Sequence, residues 1–178
     1  EIANMIGVAI ATPITFKLGK KSTFLYALFA IMALCIAFYY VPTNTTSGYW
    51  TLLILQVATG IFTGIISPLV WSMYADISDY AELKFNTSST GLIFSSSSMA
   101  QKFGGAFGTS AVLWLLAVFG FNTAEGAVQT PEAIEGLRYL ISWIPAGIAA
   151  LSAIFIMIYP LNNKRMKEIN IKLKENRK

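Results

Sequence analysis

Five apolar runs decide what this chain can become. They lie at residues 2–16, 22–41, 50–73, 91–120 and 139–161 and hold 112 of the 178 residues, yet they contain one charged residue, Lys102. Scattered at random, the 22 charged residues would leave about 14 there. A helix needs roughly 20 apolar residues to cross a bilayer core, a length that four runs reach and the first does not. None of the runs alternates apolar with polar residues as a barrel strand must. Lipid offers the backbone no hydrogen bonds, so the fold class is all-α: a polytopic helical membrane protein of five spans. Residues 1–161 form the transmembrane bundle and 162–178 a basic tail.

Composition removes several function classes. The chain has no His, and its one Cys, Cys35, sits in an apolar run, which rules out an internal disulfide, a Cys/His zinc site and His-based catalysis. The pI near 9.2 does not indicate nucleic acid, because Lys and Arg gather at helix ends and in the tail. Segments 17–21, 74–90 and 162–178 carry 11 of them, whereas 42–49 and 121–138 carry Arg138 alone. Cytosolic flanks attract such charge, so the expectation is a cytosolic C-terminus and an external N-terminus. Residue 1 is Glu and the first run is short, which reads as part of a longer protein.

Between the runs the signals are local. Pro42 and Gly48 bound a tight external turn, and Asn44-Thr45-Thr46 in it fits a glycosylation sequon. Thr130-Pro131-Glu132 reads as a helix start, and Pro145 as a kink in the last span. The tail from Asn162 through Lys164, Arg165 and Lys167 reads as a solvated charged terminus that fixes orientation, or a helical extension. Residues 74–90 are expected to be a cytosolic loop holding Asp76, Asp79 and Glu82. Those carboxylates can cap the next helix, pair with basic residues of a facing domain as a latch, or simply be solvated.

Lys102 is the first candidate for function, because an ionisable group at bilayer depth is costly unless it meets water or a partner. If the fourth helix starts near Gly91, Lys102 lies about 16 Å along it, near the midplane. If 91–101 instead projects into the cytosol, Lys102 is a snorkelling anchor at the interface. Gly91, Ser95, Ser98, Lys102, Gly105 and Thr109 recur at intervals of three and four and form one stripe. A polar cavity wall would look like this. So would a packing face, since Gly104-x-x-x-Gly108 and Gly60-x-x-x-Gly64 let backbones approach. In the third run, Trp71 near Ser67 and Pro68 offers either a flat surface for a sugar ring or an interfacial anchor.

The string from Met73 to Lys84 (MYADISDYAELK), then Thr90-Gly91-Leu92-Ile93-Phe94-Ser95, then Gln101-Lys102-Phe103-Gly104 with Gly108, resembles the glycoside-pentoside-hexuronide cation symporters, the melibiose-permease branch of the major facilitator superfamily. The basic turn Lys17-Leu18-Gly19-Lys20-Lys21 and Glu135-Gly136-Leu137-Arg138 with Ile144-Pro145 extend the resemblance over nearly the whole chain. It implies that the five spans are helices eight to twelve of a twelve-helix carrier. It implies a sugar or glycoside symporter of the inner membrane, driven by Na+ or H+ through alternating access, with no enzyme activity and no cofactor beyond the coupling ion. The cation-binding acids of the family lie mainly in the N-terminal half, which is the partner this chain would need. Lys102 would couple substrate to cation, with Ser98 and Thr109 as polar wall and Trp71 as a stacking face. Asp76, Asp79 and Glu82 would belong to a cytosolic gate. Ser88 stands where many relatives carry Arg, and Leu83 replaces the usual aromatic residue; neither change touches Lys102. The competing class is a non-transporting helical membrane assembly subunit.

Overall fold

The computed structural model describes residues 1–42, 45–124 and 128–176, so Asn44 of the sequon lies outside the described residues. Among the described residues the chain is all helix. In order these are α1 (Ile2–Leu18), α2 (Lys20–Tyr40), α3 (Thr46–Phe85), α4 (Thr90–Val118), α5 (Pro131–Ile141), α6 (Trp143–Ile158) and α7 (Asn163–Asn176). Three stretches are long and apolar enough to cross a membrane: Lys20–Tyr40, Thr46–Phe85 and Pro131–Ile158; α1 is a shorter apolar helix. Large side chains such as Phe155 and Ile158 face outward, as a lipid solvent permits.

The expected loop at 74–90 is mostly helix. Tyr74 to Phe85 contains no Gly or Pro, and Ala, Glu, Leu and Lys all favour helix, so α3 runs on for 40 residues. That is about 60 Å, twice the roughly 30 Å hydrocarbon core, so α3 must project well beyond it. The helix ends at Asn86, which adopts a left-handed conformation (φ 54°) and returns its N–H to the Glu82 carbonyl. Only residues 86–89 connect it to α4.

The last span begins where expected, at Pro131, with the Thr130 hydroxyl accepting from the Ala133 N–H at 3.2 Å, but it breaks at Ser142 rather than bending at Pro145. The break places Pro145 in the first turn of α6, where its missing N–H would have had no intrahelical acceptor. Ser142 is fully buried and its hydroxyl donates to the Arg138 carbonyl.

Small residues set the packing. A methyl at Gly7 would overlap the Ile61 carbonyl and come within 2.9 Å of the Gly64 Cα, and a methyl at Gly64 would overlap the Asn4 carbonyl. The Gly60/Gly64 pair is therefore the site where α1 crosses α3 in backbone contact. Ala27 on α2 and Ala149 and Ala153 on α6 are buried in the same core with Leu28, Ile65 and Leu69. Cations close α2 at both ends against the α5–α6 span. Lys21 donates to the Met157 and Tyr159 carbonyls at 2.8 and 2.7 Å, and Arg138 donates to the Val41 carbonyl at 3.5 Å. Each supplies a donor, and a compensating positive charge, to carbonyls at a helix C-terminus.

The tail is a docked helix rather than only a solvated terminus. Ile169 and Leu173 of α7, with Leu161, are buried against Ile77, Tyr80 and Leu83 on the projecting part of α3. The Arg165 guanidinium lies 5.6 Å from the centre of the Tyr80 ring, which also has the Lys84 ammonium at 5.7 Å. At the start of α7, Asn163 packs on Gly19, whose φ of +87° turns α1 into α2.

Candidate substrate and gate site

α4 is attached to the bundle at its two ends. At the first, the Ser78 and Thr90 hydroxyls share a hydrogen bond of 2.6 Å, and Trp71 stacks on Phe94 at 6.1 Å with Tyr74 edge-on to both. At the other, Phe119 just beyond the helix fills the space above Gly136 of α5. Between these ends no residue of α4 is buried. Among the described residues nothing lies within 4 Å of the positions a methyl would take at Gly91, Gly104, Gly105 or Gly108, so none of them packs on the Gly104/Gly108 pair.

Lys102 occupies that free middle. Among the described residues its ammonium has no partner. It borders a concavity of about 520 Å³ with Ser95, Ser98, Met99, Phe103 and Ala106. Ser95 and Ser97 spend their hydroxyls on the Leu92 and Ile93 carbonyls of their own helix, which leaves Ser98 as the free hydroxyl beside the lysine. Thr109 lies two turns further along, exposed on the same stripe but outside the concavity. Trp71 is 43% exposed and shares its ring with Phe94 and Tyr74, so its aromatic face is part of an α3–α4 contact.

The expected acids are brought together on the projecting part of α3, and their surroundings differ. Asp76 is buried and accepts from Lys20 Nζ at 2.7 and 2.8 Å, while the same ammonium reaches the Ser72 carbonyl at 3.4 Å. Its partner is thus a residue of this chain, in the basic turn between α1 and α2. Asp79 and Glu82 are half-buried one and two turns further on, each engaged in an interaction of its own. Beside the Lys20–Asp76 pair runs a groove of about 220 Å³ lined by Thr12, Thr15, Phe16, Pro68 and Ser72.

The sequence reading overlooked a second polar stripe. Gln56, Thr59, Thr63, Ser67 and Trp71 follow one another at intervals of three and four on α3; the first three line a cleft with α1, and Trp71 at the far end meets Phe94 of α4. The spacing was visible in the sequence; a single Gln among apolar residues drew less notice than a lysine.

Comparison with known proteins now bears on this geometry. The family described as MFS/sugar transport protein matches residues 1–163. The chain belongs to the glycoside-pentoside-hexuronide symporters of the major facilitator superfamily. It is 31% identical to a glucuronide carrier protein homolog of Escherichia coli (strain K12), over 99% of this chain and 38% of that protein. It is 30% identical to the isoprimeverose transporter of Lactiplantibacillus pentosus, over 91% of this chain and 33% of that one. A putative glycoside/cation symporter of Escherichia coli, YagG, is 25% identical over 99% of this chain. The chain thus spans less than two fifths of these symporters' length. The family is one of membrane transporters and not of enzymes.

Proposed function

We propose that this chain supplies five spans, α1, α2, α3, α4 and the α5–α6 pair, equivalent to helices eight to twelve of a twelve-helix carrier. That carrier moves a sugar or glycoside together with Na+ or H+ across the inner membrane by alternating access. The relatives include a glucuronide carrier protein homolog, an isoprimeverose transporter and a putative glycoside/cation symporter, which supports a glycoside as substrate. The partition of Lys and Arg supports a cytosolic C-terminus.

The single observation that carries the reading is Lys102, partnerless among the described residues on a helix whose middle meets nothing else in the chain. A cation there is tolerable only where it meets water or an acidic partner, and carriers of this kind bind substrate near the midplane between two facing halves. Lys102 then donates to a sugar hydroxyl and senses the coupling cation, with Ser98 and Thr109 continuing the polar wall and the exposed part of Trp71 meeting the substrate's apolar face. Asp76, held by Lys20, sits with Asp79 and Glu82 at the cytosolic gate, and the coupling ion is held mainly by the other half.

The test is uptake of labelled glucuronide and isoprimeverose by cells expressing the full-length carrier. Lys102→Ala abolishes cation-driven accumulation while the protein still reaches the membrane in normal amount. Accumulation equal to the parent's defeats the assignment. A non-transporting subunit is told apart by a Lys102→Cys variant on a Cys35→Ala background. Its thiol reacts with a water-borne reagent in the carrier and stays silent on a lipid-facing or packed helix.

A further inference from the structure

At the end of the bundle opposite the Lys20–Asp76 pair, the start of α1 and the first half of α3 border a cleft of about 600 Å³ beside their contacts at Ala3–Gly60 and Asn4–Gly64. Its polar lining includes Glu1, Asn4, Gln56, Thr59 and Thr63. Thr59 and Thr63 direct their hydroxyls to the Leu55 and Thr59 carbonyls of their own helix, at 2.9 and 2.8 Å. Among the described residues the side-chain amides of Asn4 and Gln56 have no partner, and Gln56 is exposed.

Two unsatisfied amides inside apolar spans are costly against lipid, because hydrocarbon offers no hydrogen bond to either the N–H or the carbonyl. They are tolerated where the face is wet. Each amide carries both donors and an acceptor, the pairing that vicinal sugar hydroxyls require. Gln56 also heads the α3 stripe that descends through Thr59, Thr63 and Ser67 to Trp71, where the stripe reaches Phe94 of α4.

We infer that this cleft is a water-filled entry station for the sugar, in which Asn4 and Gln56 hydrogen-bond its hydroxyls before it reaches the Lys102 level. The inference rests on the transport reading above. It separates two jobs: Lys102 couples transport to the cation, whereas Asn4 and Gln56 set how readily the sugar is taken from outside. The two amides hold the sugar through neutral hydrogen bonds, with the Glu1 carboxylate at the rim of the cleft.

The experiment uses the full-length carrier with Cys35→Ala. In a Gln56→Cys variant, a membrane-impermeant maleimide added to intact cells modifies the new thiol, and the glycoside that the carrier accumulates slows the modification at least threefold. A thiol that stays silent, or is modified at the same rate with and without sugar, overturns the station. In uptake, Gln56→Leu raises the apparent KM about tenfold with little change in maximal rate, the effect of losing one hydrogen-bonding side chain. Gln56→Asn, which keeps the amide, recovers most of the affinity. Equal damage by both substitutions, or a loss confined to maximal rate, points to packing and overturns the inference. If Lys102→Ala still accumulates sugar, the coupling assignment falls, but labelling and protection at position 56 still decide the cleft.

Discussion

Lys20 Nζ lies 2.7 Å from Asp76 Oδ1, fastening the turn between α1 and α2 to α3 just after its apolar run ends. The pair spans 56 positions of sequence, and its carboxylate is the more buried partner, at 11% side-chain exposure against 32% for the lysine. Removing the lysine therefore strands a nearly buried carboxylate, while removing the acid leaves an ammonium that still reaches water.

Unequal costs are expected from the two substitutions. Lys20→Met should destabilise the detergent-solubilised full-length carrier by about 2–3 kcal/mol and Asp76→Asn by about 1 kcal/mol, between the ranges for buried and exposed pairs. The double variant should be more stable than Lys20→Met alone. Thermal unfolding curves of the four proteins measure this, and strictly additive losses would show that the two residues do not act as a pair.

The two glycine pairs should respond oppositely. Gly64→Val drives a side chain into the α1 backbone at Asn4 and should cost about 2–4 kcal/mol, enough to reduce the amount of folded carrier in membranes. Gly108→Val, with nothing within 4 Å, should leave that amount unchanged. Equal loss at both positions would mean that the middle of α4 is tightly packed in the complete carrier.

Leu173→Asp should release α7 from α3. The substitution places a carboxylate among Ile77, Tyr80 and Leu83, and trypsin cleavage within the Lys164–Lys174 segment should accelerate about tenfold or more. Unchanged digestion would show that α7 is held by something other than its apolar face.

Lys21→Met should weaken the α2–α6 contact by removing the donor to the last carbonyls of α6, at about 1 kcal/mol, and Lys21→Arg should restore most of it. A melting temperature insensitive to both changes would leave the carbonyls satisfied by water instead.

The all-helical membrane class and the stripe through Ser98, Lys102 and Thr109 were legible because hydropathy and a period near 3.6 are local signals. The projecting part of α3 was not, since three acids suggested a loop even though Tyr74 to Phe85 lacks any residue that stops a helix. Met166, Ile169 and Leu173 carry the three-and-four spacing of a docking face, but the lysines around them hid it. Lys20 and Asp76 could not be matched by inspection, because nothing in a sequence pairs residues on separate helices without knowing how those helices cross.

The attachment of α4 by its ends has a mechanical consequence. From Phe94 to Phe119 the chain rises about 38 Å, and between those anchors no described residue of it is buried. Such a helix can bow or roll about the line joining its anchors while Ile65, Leu69, Ala149 and Ala153 stay packed as they are. Within the described residues, what holds Lys102's helix to the bundle is one aromatic stack, one shared hydroxyl bond and one phenylalanine seated on a glycine.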